Sequence, residues 1–240
     1  MIDWLRRDPG DPRLVLEGRE LPVAIRRHPH ARRMTLRLAP DGSEVRVTLP
    51  RWGRTAEALA FAESRREWLA AQLAKCARAE PPAAGGTLVY RGKTLAIAWA
   101  AALPRKPALG ENEVRLGGPE HSLAPRLQRW LEAEALRLMA DDLADYCAAA
   151  GRPLPTLALS RAQRRWGSCS GAGTVRINWR LVQAPDFVRR SVVAHEVAHL
   201  VHFDHSPAFH ALLARIYEAD LAAADRWLKQ QGRSLYASFG

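Results

Sequence analysis

Apolar and polar residues alternate in short stretches through the first half of the chain. Leu14-Val15-Leu16 and Leu21-Pro22-Val23-Ala24-Ile25, either side of Gly18-Arg19-Glu20, predict two short strands. Met34, Leu36 and Leu38, then Val45, Val47 and Leu49, alternate with polar residues around Pro40-Asp41-Gly42, which predicts a hairpin. The period then changes. Phe61, Trp68, Leu69, Leu73 and Cys76 fall on one face of a helix capped by Thr55 and running to about Ala79. Residues 80–86, Glu-Pro-Pro-Ala-Ala-Gly-Gly, read as a linker. Strands follow at 88–90, 95–99 and 114–116, then a long helix over 122–149 with Trp130, Leu131, Leu138, Tyr146 and Cys147 as core. No internal repeat stands out.

The last ninety residues hold the unusual pattern. A strand at 157–159 leads to a loop over 161–173 and a strand over 174–181. Pro185-Asp186 then reads as a helix start, with an acid at the positive end of the dipole. The run from Phe187 to Phe203 is apolar and free of Gly and Pro, so it predicts one long buried helix. It contains His195-Glu196-Val197-Ala198-His199. Histidines four apart share a helix face and can grip one metal ion, and Glu196 can reach a water on that metal. These residues point to a catalytic zinc site with Glu196 as general base. A third ligand is needed. His205, just before the Ser206-Pro207 helix start, is favoured because it escapes the rod. Glu218 on a later helix and His202 on the same face are the alternatives, and three ligands from one straight helix converge poorly. Phe209, Leu212, Leu213 and Ile216 mark the next helix, and a final amphipathic helix spans about 220–231.

Composition narrows the setting. The chain has 240 residues, 48% hydrophobic and 25% charged, as in globular proteins. No stretch is apolar enough to predict a membrane span, and the first twelve residues are polar, loosely ordered and unlike a signal peptide. Three scattered cysteines form neither a disulfide framework nor a metal motif, so a reducing cytoplasmic location is expected. The net charge of +11 sits in residues 1–80 and 151–240, which suits an anionic partner or an arginine-rich composition equally. Residues 26–33, Arg-Arg-His-Pro-His-Ala-Arg-Arg, could hold phosphates, but a solvated strand edge is the preferred reading.

Arg165-Trp166-Gly167-Ser168-Cys169-Ser170, Ile177-Asn178-Trp179-Arg180-Leu181, the His-Glu-Val-Ala-His-Leu run and His205-Ser206-Pro207 with Phe209 resemble the YgjP-like metallopeptidase family, a relative of SprT-like and WLM zinc proteases. The likeness extends to Ile25-Arg26-Arg27, Arg32-Arg33-Met34 and Pro40-Asp41-Gly42. It implies an α+β fold with a zincin-like metallohydrolase core on an H-E-x-x-H helix, preceded by a β-rich region with helices. Three regions are expected: 1–80, a small β region over 81–121, and a catalytic region over 122–240. The resemblance also implies Zn2+ on His195, His199 and His205, Glu196 as the base, and the 165–170 loop near the cleft. The implied activity is peptide hydrolysis. Some of the family are described as metal-dependent pyrophosphatases of nucleoside triphosphates such as UTP, and SprT-like relatives act at DNA. Arg161, Arg164 and Arg165 are the candidate substrate contacts, with Arg176 and Arg180 nearby as either phosphate forks or a strand's solvent face. Trp166 and Trp179 could stack on a base, though core packing is preferred. Cys169 reads as packing rather than a nucleophile.

Overall fold

The computed structural model describes residues 12–76 and 81–239. The expected loose start, the end of the helix read to Ala79 and the first linker residue lie outside these, Pro12 apart. The chain divides at residues 79 and 80 into two units.

The first unit holds strands β1 (Arg13–Leu16), β2 (Arg19–His28), β3 (Thr35–Leu38) and β4 (Val45–Pro50) in the order β1-β2-β4-β3. Glu17 and Gly18 both take positive φ, 48° and 73°, and close β1 onto β2 in a two-residue turn. β2 runs parallel to β4, and β3 pairs antiparallel with β4 across the Pro40-Asp41-Gly42 turn. The single helix expected from Thr55 is two: α1 (Thr55–Glu63) and α2 (Arg66–Leu73). Ser64 Oγ donates back to the Phe61 carbonyl, and Arg65 N–H bonds Ala62 three residues back, with φ −112° and ψ 18°. This competing local bonding breaks the ladder. Ala58 and Ala62 of α1, and Leu69 and Leu73 of α2, all join one core with Leu16, Val23, Val47 and Leu49. Trp68, expected to pack, is 46% exposed.

The second unit begins with β5 (Thr87–Tyr90), β6 (Lys93–Trp99), β7 (Ala108–Leu109) and β8 (Glu113–Leu116), ordered β5-β6-β8-β7. Every pairing repeats the first sheet: β5/β6 antiparallel, β6/β8 parallel, β7/β8 antiparallel. Arg91 and Gly92 repeat the positive-φ turn at 50° and 76°. The absence of an internal repeat is therefore corrected. Leu14, Val15, Gly18, Leu21 and Ala24 match Leu88, Val89, Gly92, Leu95 and Ala98, and Glu44-Val45-Arg46 matches Glu113-Val114-Arg115. Strands this short carry too few identities to reveal a repeat unaided.

Helix α3 (Leu123–Ala149) follows, then β9 (Thr156–Ser160), β10 (Gly167–Cys169) and β11 (Thr174–Asn178) in a sheet ordered β10-β11-β9. The expected loop over 161–173 thus contains a strand. The strand expected to reach Leu181 stops at Asn178, where the Asn178 side chain accepts from Arg180 N–H and opens a 3-10 turn, Trp179–Val182. Three helices close the fold: α4 (Asp186–His199), α5 (Pro207–Ile216) and α6 (Leu221–Gln231). Leu127 and Leu131 of α3 share one core with Ile97, Leu116, Ile177, Val193 and Phe209. Among the described residues, no helix is long and apolar enough to cross a membrane.

Candidate metal centre

Helix α4 is anchored before it presents any chemistry. Arg189, 3% exposed, bonds the buried Asp142 of α3 at 2.7 Å and Asp186 at 2.5 Å. Arg91 reaches Asp186 from the β5–β6 turn at 3.0 and 3.1 Å. The helix ends at His199 rather than running on to Phe203, which is 62% exposed. Leu200 caps it, and His202 N–H bonds the Ala198 carbonyl at 2.9 Å as the chain turns away. Ser206 then caps α5 by accepting from Phe209 N–H, which leaves His205 at the mouth of the turn.

Three imidazoles meet there. His199 Nε2 lies 3.1 Å and His205 Nε2 3.3 Å from His195 Nε2. Among the described residues, these three are the group whose ligand atoms gather within 4.8 Å of one another. Bonds of about 2.0–2.1 Å to a tetrahedral ion require nitrogens about 3.3 Å apart, so the donor set fits a zinc-like ion. His199 Nδ1 sits 3.1 Å from the His202 carbonyl. Donating there leaves the Nε2 lone pair free for a metal. Phe209, fully buried, lies under all three rings, with centroids 4.6–5.0 Å away. Burial, with the like charges of His199, His205 and His210, pushes His195 down to about 4, so it is a neutral base at physiological pH.

Of the other candidate ligands, Glu218 is engaged elsewhere, and the His202 ring is not in the converging group. Glu218 accepts from Tyr146 Oη at 2.7 Å and Arg190 Nε at 2.5 Å. His202 contributes its carbonyl.

Glu196 is 5% exposed. Burial pushes its carboxyl up to about 7, and Arg165 draws it back. The group beside it is Gly167 on β10: a Cβ there would come within 2.4 Å of Glu196 Oε1. The glycine makes the room that the carboxylate fills. A cleft of about 440 Å³ opens onto Glu196 and His195, lined also by Arg165, Trp166, Val192, Leu213 and Leu228. Asp225 and His210 also line it.

Of the predicted substrate arginines, Arg165 lines this cleft. Arg161 is held by Glu132 of α3 at 2.7 Å, and Arg164 is exposed and does not line the cleft. Arg176 lies on the exposed face of β11, opposite the buried Val175 and Ile177. Arg180, open at the sequence level between a phosphate fork and a solvent face, is neither. It is 4% exposed, lies 4.8 and 4.6 Å from the Trp179 and Tyr236 rings, and donates to the Phe239 carbonyl at 3.0 Å. Trp179 is fully buried, whereas Trp166 is half-buried at the cleft wall against Tyr236. Burial and the nearby Glu196 push the Cys169 thiol up, away from the thiolate a nucleophile needs. Sequence reasoning missed the roles of Phe209 and Gly167. Phe209 follows His205 by four residues, and that spacing was the available signal.

Comparisons with known proteins place the chain in a family. No curated protein matches the chain. Among solved structures it is similar to the metallopeptidase zymogen of Pyrococcus abyssi abylysin, at 19% identity and a TM-score of 0.36, over 40% of this chain and 97% of that one. A family model, the YgjP-like metallopeptidase domain, matches residues 32–231. The chain belongs to the YgjP-like metallopeptidase family.

Proposed function

We propose that this protein is a zinc-dependent peptide hydrolase with a zincin-like core, using His195, His199 and His205 as metal ligands and Glu196 as general base. The convergence of three imidazole nitrogens beside a buried carboxylate carries this reading. Bound there, zinc would supply a Lewis acid and lower the pKa of a water ligand. The Glu196 carboxylate, set against Gly167, takes a proton from the water and returns it to the leaving amine. Its affinity for a proton near neutrality suits both transfers. Trp166, Leu213 and Leu228 keep bulk water from the reacting centre and offer apolar contact to a side chain.

The alternative chemistry at the same site is the splitting of a nucleoside triphosphate. That reaction needs several cationic forks, and the cleft lining contains one arginine, Arg165, and one aspartate, Asp225. The remaining arginines of the loop and strand are bound elsewhere or are exposed without lining it. The cleft lining therefore favours a peptide.

The test is metal analysis of the purified chain with parallel casein and UTP assays. The expected result is about one zinc per chain, mostly lost in His195→Ala. Casein cleavage should fall by about 10²–10⁴-fold in Glu196→Gln with metal retained. Pyrophosphate release from UTP without casein cleavage would overturn the peptide reading.

A further inference from the structure

One end of the first sheet is built unlike the rest of the molecule. Parallel β2 and β4 finish together there, with His28 opposite Pro50. β3 begins at the same end, since Thr35 pairs with Thr48. Two tight turns therefore lie side by side. One is closed by Ala31 N–H to the His28 carbonyl at 3.1 Å, the other by Gly53 N–H to the Pro50 carbonyl at 3.0 Å. Arg27 ties them, donating to the Gly53 carbonyl at 3.2 Å and Thr55 Oγ1 at 2.9 Å.

The turns present Arg32, Arg33, Arg51 and Arg54, with Arg26 just behind, and all are exposed. Among the described residues, none of these five forms an ion pair with a carboxylate. His28 and His30 stand together there, ring centroids 5.8 Å apart. Between Arg51 and Arg54 in sequence, Trp52 is 75% exposed, the most exposed of the large apolar side chains among the described residues.

A solvated strand edge accounts for the arginines but not for an indole in water. The repeated sheet shows that the scaffold does not require either. Its corresponding end keeps Trp99 half-buried, with Nε1 donating to the Gly118 carbonyl at 3.0 Å, and Arg126 covers the Pro119 carbonyl at 2.7 Å. Unpaired guanidinium groups around an exposed aromatic face match the chemistry of a phosphodiester backbone carrying unstacked bases. We propose that this end of the first sheet, Arg32, Arg33, Arg51 and Arg54 around Trp52, is a binding surface for single-stranded nucleic acid. It lies wholly within the first unit.

The test is fluorescence anisotropy of the full-length chain with labelled twenty-nucleotide oligo-dT and oligo-U probes across a salt series, alongside a duplex of equal length. Both single strands are expected to bind more tightly than the duplex, with steep salt dependence. Replacing Arg32, Arg33 and Arg51 by Ala should reduce the slope of log K against log salt by about 2, at about 0.7 per lost phosphate contact. Trp52→Ala should weaken binding at least about fivefold with an unchanged slope, and Trp52→Phe should restore most of it. Each variant is checked by circular dichroism. Should the triple variant not fold, Arg51→Ala and Trp52→Ala are read singly. Binding that survives these replacements, equal or tighter binding of the duplex, or anionic vesicles bound in place of both oligonucleotides would overturn the proposal. Either single strand binding without the other identifies DNA or RNA as the source and supports it.

Discussion

The chain uses one four-stranded sheet twice, and the two copies put the same turn to opposite uses. In the first, Glu17-Gly18 closes β1 onto β2, and a Cβ on Gly18 would meet nothing within 4 Å. In the second, Arg91-Gly92 closes β5 onto β6 and is wedged against the approach to helix α4. Arg91 N–H bonds the Val182 carbonyl at 2.8 Å and Gly92 N–H the Gln183 carbonyl at 2.9 Å. A Cβ on Gly92 would come within 2.9 Å of Pro185. The local fold needs a left-handed residue at both turns. Only the second also holds the segment leading into the helix that carries His195, Glu196 and His199. The lesson is that a repeated module contributes to a site through what its turns touch, not through its topology.

The comparison can be broken most sharply at the glycines. Gly92→Ala adds a contact with Pro185 to the strain of positive φ, and should destabilise by about 3–5 kcal/mol in urea titration, with loosened zinc retention. Gly18→Ala has the same φ strain and open space, and should cost about 1 kcal/mol. Equal losses would mean the docking contributes nothing. The side chains give a smaller effect. Arg91→Ala removes an ion pair whose partners are 43% and 36% exposed, so a loss of at most about 1 kcal/mol is expected at neutral pH. The larger signature is in acid. Burial works to raise the Asp186 pKa, but the Arg91 hydrogen bond and the charge of Arg189 outweigh it and hold the carboxyl below its ordinary value. A depressed carboxylate stabilises above its unfolded pKa, and that stability is lost as pH falls through the folded one. Arg91→Ala should therefore shift acid unfolding to higher pH, followed by circular dichroism from neutrality downward. The smallest effect belongs to Glu17→Ala, the matching position in the first copy. It should stay within about 0.5 kcal/mol of zero in the same urea titration.

The contrast extends to the helices. In the first unit Ser64 breaks the helical ladder, so two short helices cover their own sheet. In the second, α3 runs 27 residues and shares a core with both the repeated sheet and the elements around the metal centre. One copy shares its core with the two short helices of its own unit. The other shares its core with the elements around the candidate metal centre.

The sequence by itself determined the chemistry of α4. His195 and His199 share a face because helical spacing is local, and Pro185-Asp186 and Ser206-Pro207 mark helix starts through their own backbone chemistry. His205 was within reach for the same reason, since a ligand past the helix end is a matter of a few residues. The turns at Gly18, Gly42 and Gly92 were also legible, being written in adjacent residues. Tertiary structure decided what depends on distant groups: the burial that lifts the Glu196 carboxyl, the space Gly167 leaves for it, and Phe209 beneath the three rings. It also sorted the arginines, sending Arg180 into the core, Arg161 to Glu132 and Arg165 to the cleft. Charge and alternation in a sequence do not say which carboxylate, ring or carbonyl a guanidinium will meet. That is settled by packing between segments far apart in the chain, and a local pattern contains no record of it.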